Sequence, residues 1–169
     1  MSMKQLWAPW RMDYLTDHDK NKGKNTGCVF CDLSAEKKDR ENLILHRGPN
    51  VFVILNRYPY NNGHLMVVPN RHVSDYTDVS EDELKDLQLM SREVVRALKQ
   101  SYQPEGYNIG MNLGAAAGAG IKDHLHLHVV PRWNGDTNFM PVIADTKSMP
   151  QHLSASFDKL IGYFKTLKA

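Results

Sequence analysis

The stretch "DHLHLHVVPRW", residues 123–133, constrains this chain more than any other. His124, His126 and His128 recur at every second position, and that period belongs to a β-strand, whose successive side chains point to opposite faces. One face carries the three imidazoles. The other carries Leu125, Leu127 and Val129 and is apolar enough to pack on a core. Asp123 precedes the run and Pro131 closes it, as residues at strand ends often do. The pattern predicts a half-buried strand with an unusual polar face.

The flanking segments place this strand in an α+β chain. "LILHR" (43–47) and "VFVIL" (51–55) are strand-like runs separated by the turn "GPN", and "HLMVV" (64–68) follows the turn "YPYNNG". Ser80 and Glu83 form a capping box, after which Leu84, Leu87, Met90, Val94, Val95 and Leu98 repeat at helical spacing. "YNIGMN" (107–112) is a further strand, and a second main helix is predicted from about Pro150, with Leu153, Phe157, Leu160, Ile161 and Phe164 on one face. Short connections between the strands predict a largely antiparallel sheet. The division is an N-terminal arm and linker, 1–27, followed by one domain, 28–169. The linker "TDHDKNKGKNTG" is polar, whereas Trp7, Trp10, Met12, Tyr14 and Leu15 in the arm are apolar enough to need a surface to pack on.

Charge excludes some partners. With 21 basic and 19 acidic residues the formal net charge is +2, too balanced for a nucleic-acid or membrane surface, so a local pocket must supply any affinity for anions. No apolar run approaches a membrane span, and the N-terminus has no signal core; a cytoplasmic protein is expected. The two cysteines, Cys28 and Cys31 in "CVFC", are spaced for a metal or redox pair rather than a structural staple.

Three strand histidines admit three readings. They are a polar face without a task, a zinc site in which His-x-His supplies two ligands, or a nucleophilic site in which a neutral imidazole attacks an electrophile while its neighbours stabilise the developing charge. The preceding loop "GAAAGAG" (114–120) permits close backbone approach, and its N–H groups could form an anion-binding concavity. Loop and strand together point to phosphoryl or nucleotidyl transfer.

"HLHLHVV" matches the His-x-His-x-His-x-x signature of the histidine triad family, and the resemblance runs from about Cys28 to Trp133 through "LNRYPYNNGHLMVVPNRH" (55–72). "LWAPWRMDYL" (6–15) and "PRWNGDTNFMPVI" (131–143) further resemble its bacterial branch of diadenosine tetraphosphate phosphorylases or hydrolases. The resemblance implies a homodimer of the histidine triad fold. It also implies cleavage of a nucleoside polyphosphate at the α-phosphorus, with water or phosphate as acceptor. His126 corresponds to the nucleophile, His128 to the group on the phosphate oxygens, and His64 to an upstream histidine expected near the phosphates. Asn56 falls where relatives hold the ribose hydroxyls and Asn112 near a phosphate-contacting asparagine. In the loop of Gly118, Ala119 and Gly120, relatives often carry a polar Gln or Ser; here only backbone N–H groups remain. Some bacterial relatives complete a structural zinc site with residues that correspond to His72 and His124 beside Cys28 and Cys31, and His46 is the rival ligand. A nucleoside phosphoramidate hydrolase, a nucleotide-binding module with little turnover and a catalytic zinc hydrolase are the alternatives. Trp7, Trp10 and Arg11 are expected to cover the mouth of the active site.

Overall fold

The computed structural model describes residues 27–140, 143 and 149–167. The arm residues Trp7, Trp10 and Arg11 therefore lie outside the described residues. Five strands, β1 (Ile44–Arg47), β2 (Val51–Leu55), β3 (Leu65–Pro69), β4 (Gly106–Gly110) and β5 (Leu127–Arg132), form one sheet in the order β1-β2-β3-β5-β4. Every neighbouring pair is antiparallel, as the short connections predict.

Among the described residues three α-helices accompany the sheet: α1 (Val29–Ala35), α2 (Glu81–Tyr102) and α3 (Leu153–Phe164). The capping box of α2 is present in both directions, Ser80 accepting from the Glu83 N–H and Glu83 from the Ser80 N–H. Helix α2 stops at Gln103, which adopts a left-handed conformation. Helix α3 begins at Leu153 rather than near Pro150, because His152 accepts a hydrogen bond from the Ser154 N–H and so caps it. Helix α1 is absent from the sequence expectation of two main helices. It has seven residues, too few for periodicity to show.

Alternation along the strands sorts the core into two layers. Val51, Val53, Leu55, Leu65, Val67, Leu127 and Val129 pack with Leu87, Val94 and Leu98 of α2 and Phe157, Leu160 and Phe164 of α3. Phe52, Ile54, Met66 and Val68 pack on the opposite face with Phe30 and Cys28. Helix α1 thus covers the sheet face that the triad shares, and all three triad histidines are buried. The expected half-buried strand is corrected to one enclosed on both sides.

The strand also starts later than the alternation suggests. The β3–β5 register pairs Val67 with Leu127, so the ladder would next bring Leu125 opposite Pro69, which has no N–H to donate. Pairing ends there. The Leu125 N–H turns instead to the Val73 carbonyl at 2.8 Å, and the Pro69 carbonyl accepts from His124 Nε2 at 3.0 Å. The facing still alternates, with Leu125 in the helix-side core and His126 and His128 on the other face.

Among the described residues, no helix is long and apolar enough to cross a membrane.

Candidate active site and metal centre

A cavity of about 420 Å³ opens on the α1 side of the sheet. His126 and His128 line it, with Asn56, Arg57, Tyr58 and Tyr60 from the β2–β3 connection, Phe30 and Asp32 from α1, and Gly120 and Ile121 from the loop before the triad. Gly110 of β4 lies opposite His128 across the ladder, so no side chain from that pair fills the space beside it.

Hydrogen-bond chemistry determines which ring nitrogen carries a proton. His126 Nδ1 lies 2.9 Å from the His124 carbonyl. A carbonyl only accepts, so Nδ1 bears the proton and Nε2 keeps the lone pair. The Tyr60 backbone N–H donates to His64 Nδ1 at 3.0 Å, and the Asn56 amide lies 3.3 Å from the same nitrogen. His64 therefore carries its proton on Nε2, which donates to His128 Nδ1 at 2.9 Å. His128 in turn holds its proton on Nε2. The site thus presents one lone pair, on His126, next to one imidazole N–H, on His128; the two rings are 4.7 Å apart, edge to face.

Burial keeps these rings neutral. It lowers His64 to about 3, the nearby His128 and His126 adding to the effect. It lowers His128 to about 4, with His126 adding. Burial also lowers His126, opposed by its bond to the His124 carbonyl.

The structure does not bring every expected residue to the cavity. Asn56 is on its wall, and its Oδ1 accepts the Tyr58 N–H at 2.9 Å. His64 is fully enclosed with both nitrogens engaged, so it reaches the cavity only through His128. Gly120 lines the cavity, but Gly118, Ala119 and Asn112 do not. The N–H groups of Gly118 and Ala119 are taken by the carbonyls of Ala115 and Gly114 within the turn itself. Phe30, Arg57 and Tyr60 were not singled out from the sequence. An aromatic residue inside the turn "YPYNNG" is the signal that Tyr60 offered.

A second cluster adjoins the first. One ligand atom each from Cys28, Cys31, His72 and His124 lies within 4.8 Å of the others. Zinc bonds of about 2.0–2.3 Å in a tetrahedron place donor atoms roughly 3.3–3.8 Å apart, so the group is close to that geometry. Cys28 Sγ is 3.2 Å and Cys31 Sγ 3.6 Å from His124 Nδ1, and Cys31 Sγ is 3.4 Å from His72 Nδ1. The bond from His124 Nε2 to the Pro69 carbonyl leaves Nδ1 bare and aimed at the sulfurs, as a metal ligand needs. His46, the rival, instead packs against Phe164, ring centroids 6.3 Å apart, beneath α3. Only the first triad histidine joins this group, and His126 and His128 remain outside it. No disulfide joins the two cysteines.

The fold and the paired histidines define a class, and comparison with known proteins agrees. A HIT domain family model matches residues 37–135, more than half of the chain. The chain belongs to the histidine triad family. It is 41% identical over 155 residues to an AP-4-A phosphorylase of Mycobacterium tuberculosis, covering 89% of this chain and 79% of that one. It is 30% identical to an uncharacterized HIT-like protein of Saccharolobus solfataricus, covering 83% and 98%. Among solved structures, a zinc-bound histidine triad family protein from Mycobacterium smegmatis superposes with a TM-score of 0.65 at 29% identity, over 82% of this chain and 93% of that one.

Proposed function

We propose that the protein cleaves dinucleoside polyphosphates, diadenosine tetraphosphate foremost, by double displacement at an α-phosphorus. The observation that carries this is the pair of opposite hydrogen-bonding characters on neighbouring rings: a bare Nε2 on His126 and an N–H on His128, both lining one cavity. In the first step His126 Nε2 forms a bond to the α-phosphorus as the bond from phosphorus to the bridging oxygen breaks, and ATP departs with that electron pair. The positive charge gained by the ring is spread to Nδ1–H, which the His124 carbonyl holds. His128 donates to a phosphoryl oxygen as negative charge gathers there. In the second step water or inorganic phosphate attacks the same phosphorus and the bond to His126 breaks, giving AMP or ADP. The 41% identical relative named AP-4-A phosphorylase supports the substrate class.

Cys28, Cys31, His72 and His124 would hold a structural zinc ion. These four residues would supply a full set of protein ligands, so the metal would tie α1 to the segment before β5 and the chemistry would be left to His126. Cysteines not joined in a disulfide suit a cytoplasmic setting. A homodimer is supported by β4, an edge strand with Ile109 and, just beyond it, Leu113 about half exposed.

Product analysis tests the proposal. Incubation with diadenosine tetraphosphate should yield ATP with AMP in phosphate-free buffer, or ATP with ADP when phosphate is the acceptor. Preference for a nucleoside phosphoramidate would move the assignment to that alternative, and binding without products would leave a nucleotide-binding module.

A further inference from the structure

Tyr60 lines the cavity and packs against both rings of the His64–His128 pair. Its ring is tilted over His64 at 4.6 Å and stacked on His128 at 5.6 Å, the planes 30° apart. Its backbone N–H holds His64 Nδ1. The ring is half exposed, while His64 beneath it is fully enclosed. A flat apolar face over a buried hydrogen bond keeps water from competing for it. The Asn56 amide braces the same nitrogen from the side: Oδ1 is committed to the Tyr58 N–H, so Nδ2 faces His64. If water entered beneath the ring it could donate to His128 Nδ1 or accept from His64 Nε2, and either would free the His128 ring to turn.

We propose that Tyr60 is a positioning residue, which orders the protons of the His64–His128 pair with its backbone and shields their hydrogen bond with its ring, so that His128 turns an N–H toward the substrate. The proposal rests on the reaction assigned above, but its first readout does not need that reaction.

In the full-length protein with ¹⁵N-labelled histidine and no nucleotide, exchange of the His64 Nε2 proton with water is followed by NMR. It should be slow in wild type and in Tyr60→Phe, which keeps the ring, and at least about tenfold faster in Tyr60→Ala. With diadenosine tetraphosphate, Tyr60→Ala should lower kcat at least about tenfold with KM within about threefold, and Tyr60→Phe should restore wild-type turnover. Tyr60→Leu, which keeps apolar bulk without a flat ring, carries the same comparison should alanine disturb the turn. Unchanged exchange in the ringless variants, a loss confined to KM, or a Phe variant as impaired as Ala would overturn the proposal. If wild type cleaves no dinucleotide, the reaction assignment fails, and the exchange comparison still decides whether the ring shields the pair.

Discussion

His126 gives its Nδ1 proton to the backbone carbonyl of His124 across 2.9 Å, and the His124 side chain turns the other way, Nδ1 toward Cys28 Sγ at 3.2 Å. One residue therefore orients the His126 ring with its main chain and belongs to the cysteine cluster with its own ring. Structural support and chemistry meet at a single peptide unit, and this junction shapes the first expectation.

Purified protein should carry about one zinc ion per chain, on the four-ligand logic of structural sites. Burial, with Cys28 beside it, pushes the Cys31 thiol up to about 11, so a metal must displace its proton and retention should weaken as pH falls. Cys28→Ser or Cys31→Ser should lose metal and lower Tm by at least about 5 °C, the shift expected for a loss of about 2 kcal/mol in a domain of this size. Activity should persist in whatever remains folded. Metal analysis and thermal scans check this; metal-free protein of unchanged Tm would refute it.

The His64–His128 bond predicts an ordering of variants. On the proposed mechanism His128→Ala would remove a donor to the developing charge, and it should reduce kcat about a hundredfold. His64 does not itself line the cavity, so a side chain able to donate to His128 in its place should preserve function. His64→Gln should retain about tenfold more turnover than His64→Leu, the equivalent of one hydrogen bond to His128. Equal rates for the two would mean that His64 acts by bulk alone.

The same pair makes a statement about pH. A group lowered by burial stays neutral until the pH falls to its folded value, about 3 for His64 and about 4 for His128. Loss of the His128 donor geometry through protonation of this pair should therefore come well below 6.5, the ordinary histidine value. NMR titration of the two imidazoles checks it, and protonation of either at or above that value would contradict the burial argument.

Acid stability should depend on Glu83. Arg71 grips its carboxylate at 2.9 and 2.7 Å and the Ser80 N–H adds a third bond, holding it at about 2. Because the folded value is depressed, this stabilisation is complete above the ordinary carboxylate value near 4.5 and is lost as pH falls toward about 2. Glu83→Gln should cost about 1–3 kcal/mol at neutral pH, the scale of hydrogen bonds to a charged group. Its deficit relative to wild type should shrink on acidification. A deficit that stays constant with pH in denaturant melts would rule out the charge as its source.

Local rules that act over a few residues were legible in the sequence, and arrangements made by distant segments were not. The Ser80–Glu83 box is self-contained and appears as read. The histidine alternation was visible because strand period is a local property. Its burial was hidden, since the cover comes from the seven residues of α1, whose Phe30 packs 5.2 Å from His126. The late start of β5 depends on Pro69 in another strand. His72 and His46 were both open as partners for the cysteines; only the fold shows His46 beneath α3. Tyr60 looked like part of a turn because its importance lies in what it covers.

The proposed covalent bond from His126 to phosphorus is tested directly by trapping. Wild-type protein mixed with radiolabelled diadenosine tetraphosphate and quenched without acid should carry an acid-labile, base-stable nucleotide. His126→Ala should carry none, with turnover reduced at least about a thousandfold and nucleotide binding retained to within roughly tenfold. A His126→Ala protein that still labels, or turns over near the wild-type rate, would rule out a covalent bond to His126.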